Sequence, residues 1–300
     1  MMDITVLGSC GSAPTKERNL PGVAVQIGGN VLLLDCGEGS QRQMMSFGVS
    51  YAKVRAIFVS HLHLDHFLGI FGLGETLRLS GVVQKIDIFG PVGLERFLYS
   101  FGHRDIFAVH EICAKDCSLE KPIFSISNHD VFCFEVEHGK KMNAFGYLIK
   151  ERERLRFYEK KAKSLGILGP MFTQIQKEGH VLAKGKKILL KDVTYAQKGL
   201  SLAYSGDTLY SKNLVSNCKG VNLLIHECTF DSERAQLAAE KFHSTAVDAA
   251  KAAKGCGAKS LVLTHLGGKY SKESKPLLTQ AKKIFKNSII ASDGLKINLK

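Results

Sequence analysis

Residues His61-Leu62-His63-Leu64-Asp65-His66 constrain this chain more than any other stretch, because they place four strong metal-binding side chains within six positions. They follow directly on Val54-Arg55-Ala56-Ile57-Phe58-Val59-Ser60, an apolar and β-branched run that reads as a buried strand. Neutral imidazoles and a carboxylate suit a divalent ion of borderline softness, zinc above all. A catalytic zinc normally keeps three protein ligands and one open position. Four ligands in one loop, with further candidates downstream, therefore point to two metals. An exposed polar loop that happens to hold histidines is the competing reading, and the density of ligands after a strand weighs against it.

The same strand-then-ligand pattern recurs along the chain. Val131–Glu137 leads to His138, Leu200–Ser205 to Asp207, Val221–Ile225 to His226-Glu227, and Ser260–Thr264 to His265. A hairpin, Gly22–Ile27 and Val31–Asp35, ends in Asp35. In sheet-based α/β folds, function collects beyond the carboxyl ends of strands. Each residue alone reads as a cap or a surface group; their joint recurrence predicts one site. His61, His63, Asp65, His66, His138, Asp207 and His265 suffice for two metals, with Asp207 as the bridging carboxylate. Asp35 is placed to steer a metal-bound histidine from behind, or to cap the helix expected near Ser40. Two close dications suit phosphoryl-ester hydrolysis, which also needs a proton donor for the leaving oxygen. His243 and Glu227 are candidates, although position alone makes His243 a surface residue at a helix start.

Charge adds a second constraint. The chain carries a net charge of +13. Residues 150–191 hold twelve Lys or Arg against four acids, so most of the excess sits in about one seventh of the sequence. Such a segment is the electrostatic footprint of polyanion binding, or simply a solvated basic face. It shows little apolar residue at core spacing and reads as a projecting arm, with Glu151–Ser164 helix-compatible and Leu168-Gly169-Pro170 inside a hinge. Eight scattered cysteines, with no CxxC pair, read as free and mainly buried thiols of a reducing compartment. The absence of a basic leader or a long apolar run predicts a cytoplasmic protein. Elsewhere the pattern predicts helices over Phe67–Leu79, Val92–Ser100 and Ser232–Phe242, the last capped by Asp231. Thr245-Ala246-Val247-Asp248 starts another, and 289–299 reads as a closing hairpin around Ser292-Asp293-Gly294. The Ser9–Thr15 loop reads as a tight turn.

Taken together, HLHLDH, His138, Ser205-Gly206-Asp207-Thr208 and Leu263-Thr264-His265 resemble the metallo-β-lactamase superfamily over nearly the whole chain. Within it, four features resemble the ribonuclease Z family of tRNA 3′-processing endonucleases: Pro14–Asn19, His226-Glu227-Cys228-Thr229-Phe230, Phe242-His243-Ser244-Thr245, and the basic arm with Leu168-Gly169-Pro170. The resemblance implies one α/β domain over 1–300, an αβ/βα four-layer sandwich with an exosite arm at about 151–191, two zinc ions per subunit and a homodimer. It implies His61, His63 and His138 on one zinc, Asp65, His66 and His265 on the other, and Asp207 between them. Asp65 would accept a proton from the attacking water, and His243, oriented by Glu227, would protonate the departing oxygen. Gly169, Pro170, Arg18 and Lys269 would meet the precursor tRNA. Two departures stand out: Leu64 occupies a position where these enzymes usually carry glycine, and Gly267-Gly268-Lys269-Tyr270 replaces Ser-x-Arg-Tyr. A lysine there neutralises a phosphate but cannot clamp it with two parallel bonds. The competing functions are hydrolysis of a small ester, such as a cyclic nucleotide or a lactone, and metal-stabilised RNA binding without catalysis.

Overall fold

A computed structural model describes all residues except Val83, Phe101 and Lys141. The chain forms two compact units, Met1–Lys150 with Leu200–Lys300, and Glu151–Gly199.

The larger unit is built on two seven-stranded sheets. In the first, the order runs Lys296–Leu299, Met2–Gly8, Gly22–Ile27, Asn30–Cys36, Val54–Phe58, Ile86–Pro91, Phe107–Ile112. In the second it runs Ser288–Ile290, Ser260–Thr264, Leu223–Glu227, Ser201–Tyr204, Phe145–Glu151, His129–Glu135, Phe124–Ile126. Alternation within the continuous run Val31-Leu32-Leu33-Leu34 explains the layering, because successive side chains leave a strand on opposite faces. Leu32 and Leu34 join Phe58, Tyr147, Ile149 and Ile225 in the core between the sheets. Val31 and Leu33 pack outward with Ile70, Leu73 and Leu77 of the helix Gly69–Leu79. The second sheet is covered likewise by the alanine-rich helix Ala246–Cys256 and by Leu214 and Leu277. This is the four-layer αβ/βα sandwich.

Short hydrogen bonds stitch the sheets together just below the metal-ligand loop. Tyr147 donates its hydroxyl to the Val59 carbonyl at 2.6 Å, and the Phe145 amide donates to the Ser60 carbonyl at 2.9 Å. The strand ends that carry His61 and Asp207 are thereby held at one edge of the sandwich.

Several local expectations are corrected. Residues 289–299 do not pair with each other. Ile290 pairs with Leu263 in one sheet and Ile297 with Ile4 in the other, so Ser292-Asp293-Gly294 carries the chain between sheets. The helix expected over Phe67–Leu79 begins earlier, as a turn at Leu64–Phe67 and then Gly69–Leu79, so Asp65 and His66 are themselves helical. Ser232–Phe242 divides into a 3-10 turn, Ser232–Arg234, and the helix Ala235–Glu240. Asp231 does not cap it; its carboxylate accepts the Tyr270 hydroxyl at 2.6 Å. Asp35 is no cap either, since Gly39 holds that position before the helix Ser40–Phe47.

The smaller unit has a core of its own: Ala162, Ile167, Ile175, Val181, Ala183, Ile188 and Val193. These residues are spread over elements too short to show a period. Two hairpin-like pairs, Arg154–Phe157 with Thr194–Gln197 and His180–Ala183 with Lys186–Leu189, frame the helices Glu159–Ser164 and Met171–Glu178. The strand Arg154–Phe157 replaces the front of the expected helix, and its partner carries the unit past 191 to Gly199.

Thr245 and Asp248 close a reciprocal cap on Ala246–Cys256, with Asp248 N–Thr245 Oγ1 at 3.2 Å and Thr245 N–Asp248 Oδ2 at 3.1 Å. Thr245→Ala leaves a buried helix start without its acceptor and lowers stability by about 1 kcal/mol, read as a fall in the urea midpoint at unchanged slope.

Candidate metal centre

Each ligand-bearing strand ends at the same edge, and the local backbone is forced to turn sharply there. Asp35 and His265 adopt left-handed backbone, φ 55° and 54°, a conformation costing a non-glycine residue about 1–2 kcal/mol. Gly11 approaches His265 so closely that an added Cβ would lie 2.3 Å from the imidazole.

Four site histidines turn the same ring nitrogen outward. His66 Nδ1 donates to Asp35 Oδ2 at 2.7 Å, and His138 Nδ1 to the Phe242 carbonyl at 2.8 Å. His61 Nδ1 donates to Ser60 Oγ at 3.0 Å, since that hydroxyl itself donates to Asp35 Oδ2 at 2.9 Å. His265 Nδ1 donates to Thr229 Oγ1 at 2.9 Å, and the Thr229 hydroxyl donates to Glu227 Oε2 at 2.7 Å. These bonds select the tautomer that leaves each Nε2 with a lone pair facing inward.

The inward atoms converge. His61 Nε2 lies 2.9 Å from His63 Nδ1, which lies 3.2 Å from His138 Nε2. Asp207 Oδ2 lies 3.2 Å from His265 Nε2, 3.3 Å from His66 Nε2 and 3.7 Å from His61 Nε2. Asp65 Oδ2 is 3.6 Å from His66 Nε2 and 3.7 Å from His265 Nε2. Lone pairs facing one another at such distances repel unless a cation or proton lies among them. Ligands on a tetrahedral ion with 2.0–2.1 Å bonds stand about 3.3 Å apart, so the spacing fits a metal. His66 Nε2 and His265 Nε2 are buried without a hydrogen-bond partner, as atoms reserved for an ion would be. The groups His61, His63, His138, Asp207 and Asp65, His66, His265 each bring their ligand atoms within 4.8 Å of one another. The donor set supports a metal cofactor.

Electrostatics agree. Burial and the neighbouring His66 push the His61 pKa well below 6.5, so that ring is a neutral ligand. Burial opposes charge on Asp207, yet His265 and His66 hold its carboxyl well below the usual range. His66 is also desolvated, but Asp207 and Asp35 raise its pKa well above 6.5. A metal bound there replaces that proton. Ser12 donates its amide to Asp65 Oδ2 at 2.8 Å.

Beside the cluster, His243 Nδ1 donates to Glu227 Oε1 at 2.9 Å, while Thr208 N donates to the same oxygen at 2.9 Å. His243 therefore leaves the class of surface helix-start residues; its side chain is 12% exposed and lines a cleft of about 570 Å³ with His63, His138 and Phe230. Burial disfavours its charge, but the Glu227 carboxylate outweighs it and lifts the pKa to about 9. His243 at neutral pH is thus a cation with Nε2 free to donate.

A model for the family described as Anti-Pycsar protein Apyc1 matches residues 2–159, just over half of the chain, and the chain belongs to that family over this stretch. The match ends before Asp207, His243 and His265. Full-length relatives decide the rest. The chain is 35% identical over 306 residues to a ribonuclease Z of Archaeoglobus fulgidus, covering all of this chain and 98% of that one. It is 37% identical to those of Methanosarcina acetivorans and Myxococcus xanthus, with the same coverage of both chains. The chain belongs to the ribonuclease Z family. Among solved structures, the short form of human tRNase Z superposes with a TM-score of 0.70 at 27% identity, covering 99% of each chain. The metallo-β-lactamase fold protein YhfI of Bacillus subtilis superposes at 0.72 with 19% identity, covering 99% of this chain and 98% of that one.

Not every expected ribonuclease Z residue lies where the sequence suggested. Arg18, expected to meet RNA, is only 8% exposed and donates to three internal acceptors. Lys269 is exposed, its Nζ 4.0 Å from Asp231 Oδ2. Gly169 and Pro170 are exposed in the smaller unit. Leu64 is helical and 58% exposed, so its side chain stands clear of the cluster and nothing in the backbone demands glycine. Gly267 packs closely: a Cβ there would lie 2.7 Å from the Thr229 carbonyl, so a side chain needs the backbone to shift. Ser12, Ser60 and Tyr204 serve the site without having been singled out. Tyr204 donates to Asp35 Oδ2 at 2.7 Å. No local signal marks them, because hydroxyl residues and backbone amides occur everywhere.

The raised His243 pKa makes the metal-free protein pH-sensitive. The stabilisation from this charged pair is complete below the unfolded value near 6.5 and is lost as pH rises through about 9. The expected result is a His243 ring-proton titration near 9 by NMR, moving down in Glu227→Gln; an unchanged midpoint in that variant would refute the assignment.

Proposed function

We propose that this protein is a zinc-dependent endoribonuclease that cuts precursor tRNA 3′ of the discriminator nucleotide, leaving a 3′-hydroxyl on the tRNA and a 5′-phosphate on the trailer. The observation that carries this reading is the 2.9 Å hydrogen bond from His243 Nδ1 to the buried Glu227 carboxylate, which sets His243 in the cleft lined by His63 and His138 of the ligand cluster. The full-length ribonuclease Z relatives support the substrate.

His61, His63 and His138 would hold one zinc, Asp65, His66 and His265 the other, with Asp207 shared between them. When bound, such an ion pair supplies Lewis-acid chemistry: a water acidic enough to attack at neutral pH and positive charge against the phosphate. The remaining steps belong to this chain. Asp65, whose carboxyl His265 and His66 hold below the usual range against its burial and which the Ser12 amide orients, accepts a proton from the attacking water. His243 donates its Nε2 proton to the departing 3′ oxygen, while Glu227 stabilises the imidazolium beforehand and fixes its orientation. Asp35 acts from behind, keeping His66 in the ligating tautomer. Lys269, and Gly169 with Pro170 in the basic unit, would meet RNA phosphates, so that the Glu151–Gly199 unit grips the tRNA body as an exosite. We expect the enzyme to act as a homodimer in the cytoplasm.

Hydrolysis of a small ester by the same centre is the second reading. It draws on the Anti-Pycsar protein Apyc1 match, which covers His61 to His138 without the His243 motif. Mapping the product ends after incubating the zinc-loaded protein with a precursor tRNA separates the two. No cut beside the discriminator base would sink the main proposal.

The exosite role is tested by removing the smaller unit. Lys150 and Ser201 face each other across an antiparallel ladder, so a short linker can replace 151–199 without opening the sheet. That variant is expected to keep turnover of bis(p-nitrophenyl) phosphate and to lose cleavage of precursor tRNA. Wild-type tRNA affinity should fall steeply with salt. Equal loss of both activities would refute the exosite.

A further inference from the structure

Arg18 is a buried strut between three distant segments. Its Nε donates to the Ser271 carbonyl at 3.2 Å, and one terminal nitrogen donates to Ser9 Oγ at 2.7 Å and to the Ala291 carbonyl at 2.6 Å. Ser9 Oγ donates onward to Asp293 Oδ1 at 2.7 Å. The other oxygen of Asp293 accepts from the Asn19 amide at 2.7 Å and from Gln43 Nε2 at 2.9 Å. A buried guanidinium and a half-buried carboxylate thus meet through one serine hydroxyl, and both are committed to protein partners. Burial lowers the pKa of Arg18 and raises that of Asp293, an expense unusual for groups that merely fill space.

What this strut holds is the start of the loop after the first strand. Ser9 and Gly11 pair with Leu266, through Leu266 N–Ser9 O at 2.8 Å and Gly11 N–Leu266 O at 3.0 Å, and Cys10 N donates to the Asn19 carbonyl at 3.0 Å. From there Gly11 lies against the His265 ring, and Ser12 donates to Asp65. Two of the three ligands in the Asp65, His66, His265 group therefore rest on this loop. His61 and His138 take their orientation elsewhere, from Ser60 and from the Phe242 carbonyl.

We infer that Arg18 and Asp293 are positioning residues for one half of the metal centre: through the Ser9–Ser12 loop they set Asp65 and His265, and hence the affinity of the second metal site alone. The inference rests on the two-metal reading above. It also assigns a different role to an arginine whose sequence context suggested RNA contact. Lysine cannot replace it, because a single ammonium cannot span the acceptors that the planar fork reaches together.

The test uses full-length protein loaded with cobalt(II) or zinc and equilibrated against graded chelator, counting metal per chain. Wild type should hold two equivalents. In Arg18→Ala and Asp293→Asn, one equivalent should leave at about tenfold to a hundredfold lower chelator concentration, as losses of partners behind ligands do. The other equivalent should be unmoved. Arg18→Lys should resemble Arg18→Ala and serves if the alanine variant does not fold; Asp293→Asn keeps the same volume. In metal-free protein, the ring-proton resonances of His265 should shift in these variants and those of His61 and His138 should not. Both equivalents weakening together would reduce the strut to general stability and overturn the inference. So would unchanged metal affinity with weakened tRNA binding, which returns Arg18 to RNA contact. Fewer than two equivalents in wild type would refute the two-metal reading and the strut with it, whereas two equivalents with no selective loss would refute the strut alone.

Discussion

The structure depends on one arrangement of hydrogen bonds: each of four histidines donates Nδ1 to the protein frame so that Nε2 turns inward. Imidazole has two nitrogens, and fixing one decides the other. The frame atoms come from separate parts of the chain. They are the Asp35 carboxylate, the Ser60 and Thr229 hydroxyls and the Phe242 carbonyl. His63 is the exception. Its Nδ1 is the inward atom, 2.9 Å from His61 Nε2 and 3.2 Å from His138 Nε2. The result is a cluster of lone pairs whose mutual repulsion only a cation relieves, which is why the fold and the metal are one problem.

Asp35 shows how far that problem reaches into the sandwich. Its carboxylate accepts from the Ser60 amide and hydroxyl, from His66 and from the Tyr204 hydroxyl, so it joins a strand end of the first sheet to a strand of the second. A fully buried carboxylate is tolerable only when its oxygens are saturated with donors. The same saturation ties the two layers directly beneath the ligands. Thr229 plays the matching part on the opposite side, linking Glu227 to His265 and lying 3.3 Å from His243 Nδ1. His243 and the ligand cluster consequently share a hydroxyl and cannot be positioned independently.

Much of this was legible before any fold was known. Short-range spacing exposed HLHLDH, and strand periodicity exposed the recurrence of His138, Asp207 and His265 at strand ends. The Thr245–Asp248 cap was visible because it is built from four consecutive residues. Features made by distant partners were not. Ile290 and Ile297 sit in one apolar stretch yet pair with different sheets, and no local pattern distinguishes a hairpin from a crossover of that length. The small core of Glu151–Gly199 escaped notice because its residues are scattered over elements too short to repeat.

The sequence by itself determined which atoms could meet a metal, because imidazole and carboxylate chemistry belongs to residue type and the ligands lie at strand ends that periodicity reveals. It also determined where the positive charge concentrates, since charge is additive along the chain. Tertiary structure alone decided which nitrogen each histidine presents, that His243 is half-buried with its Nδ1 on the Glu227 carboxylate, and that Arg18 points inward. The physical reason is the same in each case. Protonation, tautomer and burial are set by partners tens to hundreds of residues away, and those partners become neighbours only when the two sheets close.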